Sequence, residues 1–169
     1  MRWATYASTG TALVLILAKA VAWWLTESLS LLGSLMDSAL DLLASLVNLL
    51  AVRHALAPAD REHRFGHGKA EALAALAQST FVAGSAVFLV LEAAARIAHP
   101  QPVARPMIGI AVMVFSIVLT LLLVVFQSWV VRRTGSAAVR ADRLHYKSDL
   151  LMNTGVIAAV ALAHWGWPG

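Results

Sequence analysis

The sequence predicts an all-α, polytopic membrane protein, a bundle of five transmembrane helices with a cytoplasmic N-terminus. Of its 169 residues, 60% are apolar and 13% are charged, against roughly 25% charged in an ordinary soluble domain. The mean hydropathy is +0.75. A soluble globule of this size cannot bury so much apolar surface, and no apolar run alternates like a strand. We therefore expect the lipid bilayer to act as a second apolar solvent.

Five stretches approach the length of about 20 mostly apolar residues that a bilayer-crossing helix needs. They cover residues 7–25, 30–52, 72–95, 107–131 and 144–167. Two connections are basic: Arg53, Arg61, Arg64 and Lys69 lie in the second, and Arg132, Arg133, Arg140, Arg143 and Lys147 in the fourth. The positive-inside rule makes both connections cytoplasmic, and with them the N-terminus. The net charge of +4 therefore reflects the basic residues of the cytoplasmic connections, and no nucleic-acid partner is expected.

The second span carries two acidic residues far from its ends. Asp37 and Asp41 are four positions apart, so they share one helix face with Cβ atoms about 5 to 6 Å apart. An acidic side chain at mid-bilayer costs about 2.5 to 3.5 kcal/mol on the insertion scale, so this face should meet protein or a water-filled cavity. The alternative is a stripe that only hydrogen-bonds to neighbouring helices. Lys19, in the first span, either snorkels to the interface or pairs with a carboxylate.

The fifth span repeats the pattern with His145 and Asp149, again four positions apart. Together the two spans offer the four donors that a tetrahedral divalent cation requires, and this ligand set suits zinc(II) or iron(II). By hydropathy, however, His145 lies near the cytoplasmic end of its span, whereas Asp37 and Asp41 lie deeper. Either the fifth helix begins before its apolar run, or the site lies at the bottom of a cavity open to the cytoplasm.

A second candidate cluster lies in the cytoplasmic connection between the second and third spans. Asp60, His63 and His67 fall in a short stretch with two glycines, which would let the backbone turn tightly enough for three ligands to converge. The alternative is a set of solvated loop side chains. Cysteine is absent, so any metal chemistry must use His, Asp and Glu.

An enzyme is not predicted. The pattern H-E-x-x-H is absent, and no serine nucleophile with a matched base can be identified.

Three stretches together resemble the cation diffusion facilitator family, in its bacterial ferrous-iron/zinc efflux branch. They are SLLGSLMDSALDLLASLVNLLAVRHAL, PADREHRFGHGKAEALAALAQS and AVRADRLHYKSDLLMN. The resemblance implies that Asp37, Asp41, His145 and Asp149 form the transport site. It also implies a second metal site at Asp60, His63 and His67, and a role for Lys69 in helix packing across a homodimer.

The resemblance further implies efflux of zinc, iron(II) or cadmium in exchange for protons, by a homodimer in the cell inner membrane. Members of the family continue into a sixth helix and a soluble ferredoxin-like domain, whereas this sequence stops after the fifth predicted span. We therefore expect it to be the transport half of a longer protein. The alternative is a non-transporting metal-binding or modulatory partner of a full-length transporter.

Overall fold

The computed structural model describes residues 1–27, 29–61, 63–98 and 106–164, without the side chains of 29–30, 88–89, 92–98, 106, 152 and 155–164. The described chain forms five α-helices and no strand. The helices are α1 (Arg2–Thr26), α2 (Leu29–Ala55), α3 (Lys69–Ala98), α4 (Pro106–Thr134) and α5 (Ala137–His164). The predicted fold class, an all-α membrane bundle, is confirmed.

Each of the first four predicted spans lies within one helix. The fifth, 144–167, differs at its start, because α5 begins at Ala137; residues 165–167 lie outside the described part of the chain. His145 therefore lies within the helix rather than at its end. Four stretches of described residues are long and apolar enough to cross a membrane: Arg2–Thr26, Leu31–Ala55, Lys69–Val87 and Met107–Thr134. In α5 the described side chains belong mainly to its charged N-terminal half.

Local backbone features explain two of the helix boundaries. Glu27 ends α1 in the left-handed conformation, and its N–H bonds to the Trp23 carbonyl at 2.7 Å. Gly135 ends α4 in the same way, with φ of 65° and an N–H bond to the Val131 carbonyl at 2.9 Å. Ser136 then accepts a hydrogen bond from the Val139 N–H at 3.2 Å and so caps the start of α5.

The helices pack with polar side chains inside and large apolar side chains outside. α1 packs chiefly on α2 and also on α4, while α5 packs on α4 and α3. The apolar clusters between helices are small, for example Ala4 with Val130, Val131 and Val139. The buried polar residues include Ser8, Ser38, Ser45, Asn48, Gln78, Ser116, Thr120, Gln127 and Asp142. This arrangement suits a bundle whose outer surface faces lipid.

Candidate metal sites

Three candidate ligand residues from two helices lie close together in the bundle. α2 carries Asp41, and α5 carries His145 and Asp149 one turn apart. The His145 Nε2 atom lies 3.0 Å from Asp41 Oδ1 and 3.7 Å from Asp149 Oδ2. One ligand atom from each residue lies within 4.8 Å of the other two. We call Asp41, His145 and Asp149 the core group.

The core group is almost closed on the imidazole side and open on the carboxylate side. The side chain of His145 is 4% exposed, whereas those of Asp41 and Asp149 are 21% and 30% exposed. The buried Nε2 atom has no well-aligned hydrogen-bond partner in the described part of the chain. A buried nitrogen without such a partner, beside two carboxylates, is a geometry that a cation would satisfy.

The two carboxylates of the core group open into a cavity of about 610 Å³. Asp37, one turn before Asp41, lines the same cavity but is not one of the three converging ligands. The structure thus brings three of the four residues predicted for this site to ligand distance, with the fourth on the adjoining wall. Ser34 and Ser38 of α2 and Asn153 of α5 also line the cavity, so the α2 face that carries Asp37 and Asp41 points to the bundle interior.

Lys19 reaches into this cavity from α1. Its Nζ atom donates hydrogen bonds to Ser38 Oγ at 2.7 Å and to the Ser34 carbonyl at 3.2 Å. It therefore points toward α2 rather than snorkelling to the interface, and it adds a positive charge to a cavity lined by Asp37, Asp41 and Asp149.

The second cluster lies in the connection between α2 and α3, and we call Asp60, His63 and His67 the loop group. Ligand atoms of these residues also lie within 4.8 Å of one another. Asp60 Oδ1 lies 3.2 Å from His63 Nδ1, and Asp60 Oδ2 lies 3.4 Å from His67 Nε2. Gly66 adopts φ of 76° between the two histidines, a conformation that glycine takes without strain.

The loop group differs from the core group in exposure. Asp60 and His63 are about half exposed, whereas the side chain of His67 is 5% exposed. The backbone N–H of His63 donates to Asp60 Oδ1 at 2.6 Å. This hydrogen bond is the main cause that lowers the pKa of Asp60 below its ordinary value, assisted by the side chain of His63. The carboxylate is therefore held in the charged form that binds a cation.

Lys69 is the first residue of α3 and is exposed. Its predicted role at a dimer interface stays a prediction. Two residues further on, Glu71 Oε1 accepts a hydrogen bond from Ser136 Oγ at 2.5 Å. The loop group is thus followed directly by a contact between α3 and the start of α5, the helix that carries His145.

Three residues near these sites were not expected from the sequence. His54 lies in the last turn of α2, and its ring centroid is 4.4 Å from that of His67. Glu71 reaches α5, as described above. Asp142 is 1% exposed and accepts hydrogen bonds from Ser8 Oγ and Gln127 Nε2. Asp142 shares a helix face with His145 and Asp149, and this spacing is the feature of the sequence that could have pointed to it.

Fold and sites together define a class: a polytopic α-helical membrane protein with carboxylate and imidazole side chains close together in its interior. Residues 5–169 match the family described as the cation efflux transmembrane domain, and the chain belongs to that family. The resemblance drawn from the three sequence stretches is thereby confirmed.

Curated relatives named "Cation-efflux pump FieF" are similar over almost the whole chain. The protein of Pectobacterium carotovorum subsp. carotovorum is 57% identical over 166 residues, which are 98% of this chain and 54% of the relative. That of Salmonella arizonae is 54% identical over 164 residues, 97% of this chain and 55% of the relative. The chain thus spans about half the length of the curated relatives it matches.

Proposed function

We propose that this chain exports a divalent metal ion in exchange for protons, with the core group and Asp37 as its transport site. One observation carries the proposal: two carboxylates and an imidazole, from α2 and α5, lie within 4.8 Å of one another inside the bundle. Buried acidic groups are costly in a membrane-spanning segment, and a bound cation offsets that cost. Membership of the cation efflux family supports transport over an enzymatic role.

Proton exchange is proposed because metal and protons compete for the same atoms. Carboxylates and imidazole bind a metal only when they are deprotonated, so uptake of protons from outside promotes metal release there. Moving one charge across the membrane costs about 2.3 kcal/mol per 100 mV, and a dication moving outward against a negative-inside potential costs roughly twice that. Inward protons offset this cost. Rocking of the helices would expose the site alternately to each side.

Zinc is the substrate we propose first, with iron(II) and cadmium as the other candidates. Oxygen and nitrogen ligands suit all three, and ligand type does not separate them. We further propose that the loop group is a second metal site and that the protein works as a homodimer in the cell inner membrane, with Lys69 at the dimer contact. The bacterial relatives named as cation-efflux pumps support export of a cation.

Zinc flux in proteoliposomes with an imposed pH gradient tests the proposal. Asp41→Asn keeps the size of the side chain but removes its charge, so we expect flux to fall to the level of protein-free liposomes. The matched control is Glu27→Gln, the same chemical change at an exposed position in the first connection. Flux in the control should equal that of the parent chain.

Transport by Asp41→Asn at the parental rate would contradict the proposed site. If the parent chain binds zinc without flux, and its co-expression changes the activity of a full-length transporter, the modulatory alternative is favoured instead. Zinc flux that does not change with the imposed pH gradient would contradict proton exchange but not the proposed metal site.

A further inference from the structure

His67 is in contact with two other histidine rings. Its ring centroid lies 4.4 Å from that of His54, at an interplanar angle of 66°, and 4.6 Å from that of His63. Asp60 Oδ2 lies 3.4 Å from His67 Nε2. Three imidazoles and one carboxylate therefore form one continuous cluster, although His54 comes from the end of α2 and the others from the loop that follows.

The loop group alone offers one ligand fewer than a closed zinc site requires. Three ligand atoms converge within 4.8 Å, whereas structural zinc sites use four protein ligands. His67 is buried, and its Nδ1 atom has no hydrogen-bond partner among the described residues. An unpaired nitrogen on a buried ring is costly, so the described residues leave the His67 ring with a nitrogen that a further partner would satisfy.

The side chain of His54 lies close enough to supply the fourth ligand. Zinc–ligand bonds of about 2.0 to 2.1 Å place tetrahedral ligand atoms roughly 3.3 Å apart, a spacing that a rotation of His54 can reach from a centroid distance of 4.4 Å. Its side chain is exposed, which leaves room for the ring to rotate. Its backbone is held, because the His54 carbonyl accepts a hydrogen bond from the Ala57 N–H at 2.9 Å.

We propose that His54 is the fourth ligand of the loop site, which then holds zinc or a similar nitrogen-preferring cation through three histidines and Asp60. This inference rests on the proposal that the loop group binds a divalent cation. Three neutral imidazoles with one carboxylate favour zinc, cobalt, nickel or copper over calcium or magnesium, which prefer oxygen ligands.

A four-ligand site of this kind links two helices. His54 belongs to the last turn of α2, and His67 lies two positions before α3 begins at Lys69. A cation bound to both would hold the cytoplasmic end of α2 against the start of α3. Since α2 also carries Asp37 and Asp41, cation binding in the loop constrains the helix that forms one wall of the transport site.

The test uses the full chain with Asp41→Asn and Asp149→Asn, so that zinc loads the loop site alone. X-ray absorption at the zinc edge counts the imidazole ligands, and competition with a chelator measures affinity. We expect three imidazoles. His54→Phe keeps a ring against His67 but removes the ligand nitrogen, so it should lower the count to two. It should weaken zinc binding by at least about tenfold, because even residues that only support ligands typically contribute 10- to 100-fold.

His54→Gln should behave like His54→Phe, whereas Arg64→Gln, an exposed change in the same loop, should leave both measurements unchanged. An unchanged count and affinity in both His54 variants would overturn the inference. The inference would also be overturned if Glu62→Gln, and not His54→Phe, weakened zinc binding, because Glu62 would then be the fourth ligand. If the parent of this series binds no zinc, the proposed loop site itself fails, a result distinct from loss of one imidazole.

Discussion

At the scale of single residues, Asp60 combines exposure with a fixed orientation. It accepts hydrogen bonds on Oδ1 from the backbone N–H of His63 at 2.6 Å and from the ring of the same residue at 3.2 Å. Both interactions favour the charged carboxylate and lower its pKa. An Asp three positions before a histidine is visible in the sequence, but the backbone hydrogen bond that dominates this effect depends on the local turn.

We predict that His63→Gln moves the pKa of Asp60 only part of the way back toward 3.8, because the backbone N–H, the larger cause, remains. Carboxyl carbon chemical shifts of the metal-free protein, followed by NMR against pH, measure this. Since the folded-state pKa is lowered, Asp60 contributes stability at pH values above the unfolded-state pKa, and that stability is lost as the pH falls through the lowered pKa. Asp60→Asn should abolish this contribution. Complete return of the pKa to 3.8 in His63→Gln would contradict the dominant role of the backbone.

At the scale of elements, the start of α5 is joined to α3. Ser136 Oγ accepts from the Val139 N–H and donates to Glu71 Oε1 at 2.5 Å, so one hydroxyl caps α5 and binds the first turn of α3. This contact explains why α5 begins at Ala137, before the apolar run that predicts its span. Hydropathy detects burial in lipid, whereas a helix boundary depends on caps, and here the cap is completed by a distant helix.

We predict that Ser136→Ala destabilises the protein by about 0.5 to 2 kcal/mol, the usual effect of losing an N-cap. Thermal unfolding in detergent measures the loss, and faster amide hydrogen exchange should appear in the first turn of α5. Ser79→Ala is the matched control, because Ser79 is exposed and its hydroxyl donates to the Ala75 carbonyl of its own helix at 2.8 Å. In a double-mutant cycle with Glu71→Gln, additive effects of the two changes would contradict the proposed link between α3 and α5.

At the scale of the whole molecule, a buried hydrogen-bond network holds four helices together. Asp142 on α5 accepts from Ser8 Oγ of α1 at 2.5 Å and from Gln127 Nε2 of α4 at 2.7 Å. Tyr146, one turn after Asp142, donates to the Ser8 carbonyl at 3.2 Å and lies 2.9 Å from Ser45 Oγ on α2. In lipid, where apolar burial drives helix association weakly, such contacts carry much of the specificity of packing.

We predict that Gln127→Leu destabilises the bundle by about 1 to 3 kcal/mol, because it removes a donor from a buried carboxylate. Gln78→Leu is the matched control: Gln78 is also buried, but its Nε2 atom has no partner among the described residues, so its replacement should have a much smaller effect. Denaturant titration in mixed micelles compares the two. Equal losses of unfolding free energy in the two variants would show that Gln127 stabilises the bundle no more than a buried amide outside the network does.

The absence of cysteine allows a direct test of the predicted orientation. Phe65→Cys places a single thiol at a fully exposed position in the second connection, which the basic residues predict to be cytoplasmic. A membrane-impermeant maleimide should label it only when the cytoplasmic face is accessible. Glu27→Cys, in the first connection, should show the opposite pattern. The same labelling pattern for both thiols would contradict the predicted topology.

Composition and periodicity determined that this chain is an all-α membrane bundle and that two pairs of candidate ligand residues lie on polar faces of its helices. Those properties depend on neighbours along one helix, which spacing alone specifies. Only the tertiary structure decided that Asp41 meets His145, that His54 lies against His67, and that Asp142 joins α1 and α4. These contacts join helices distant in sequence, and the packing of whole side-chain surfaces, not residue spacing, sets the distances between them.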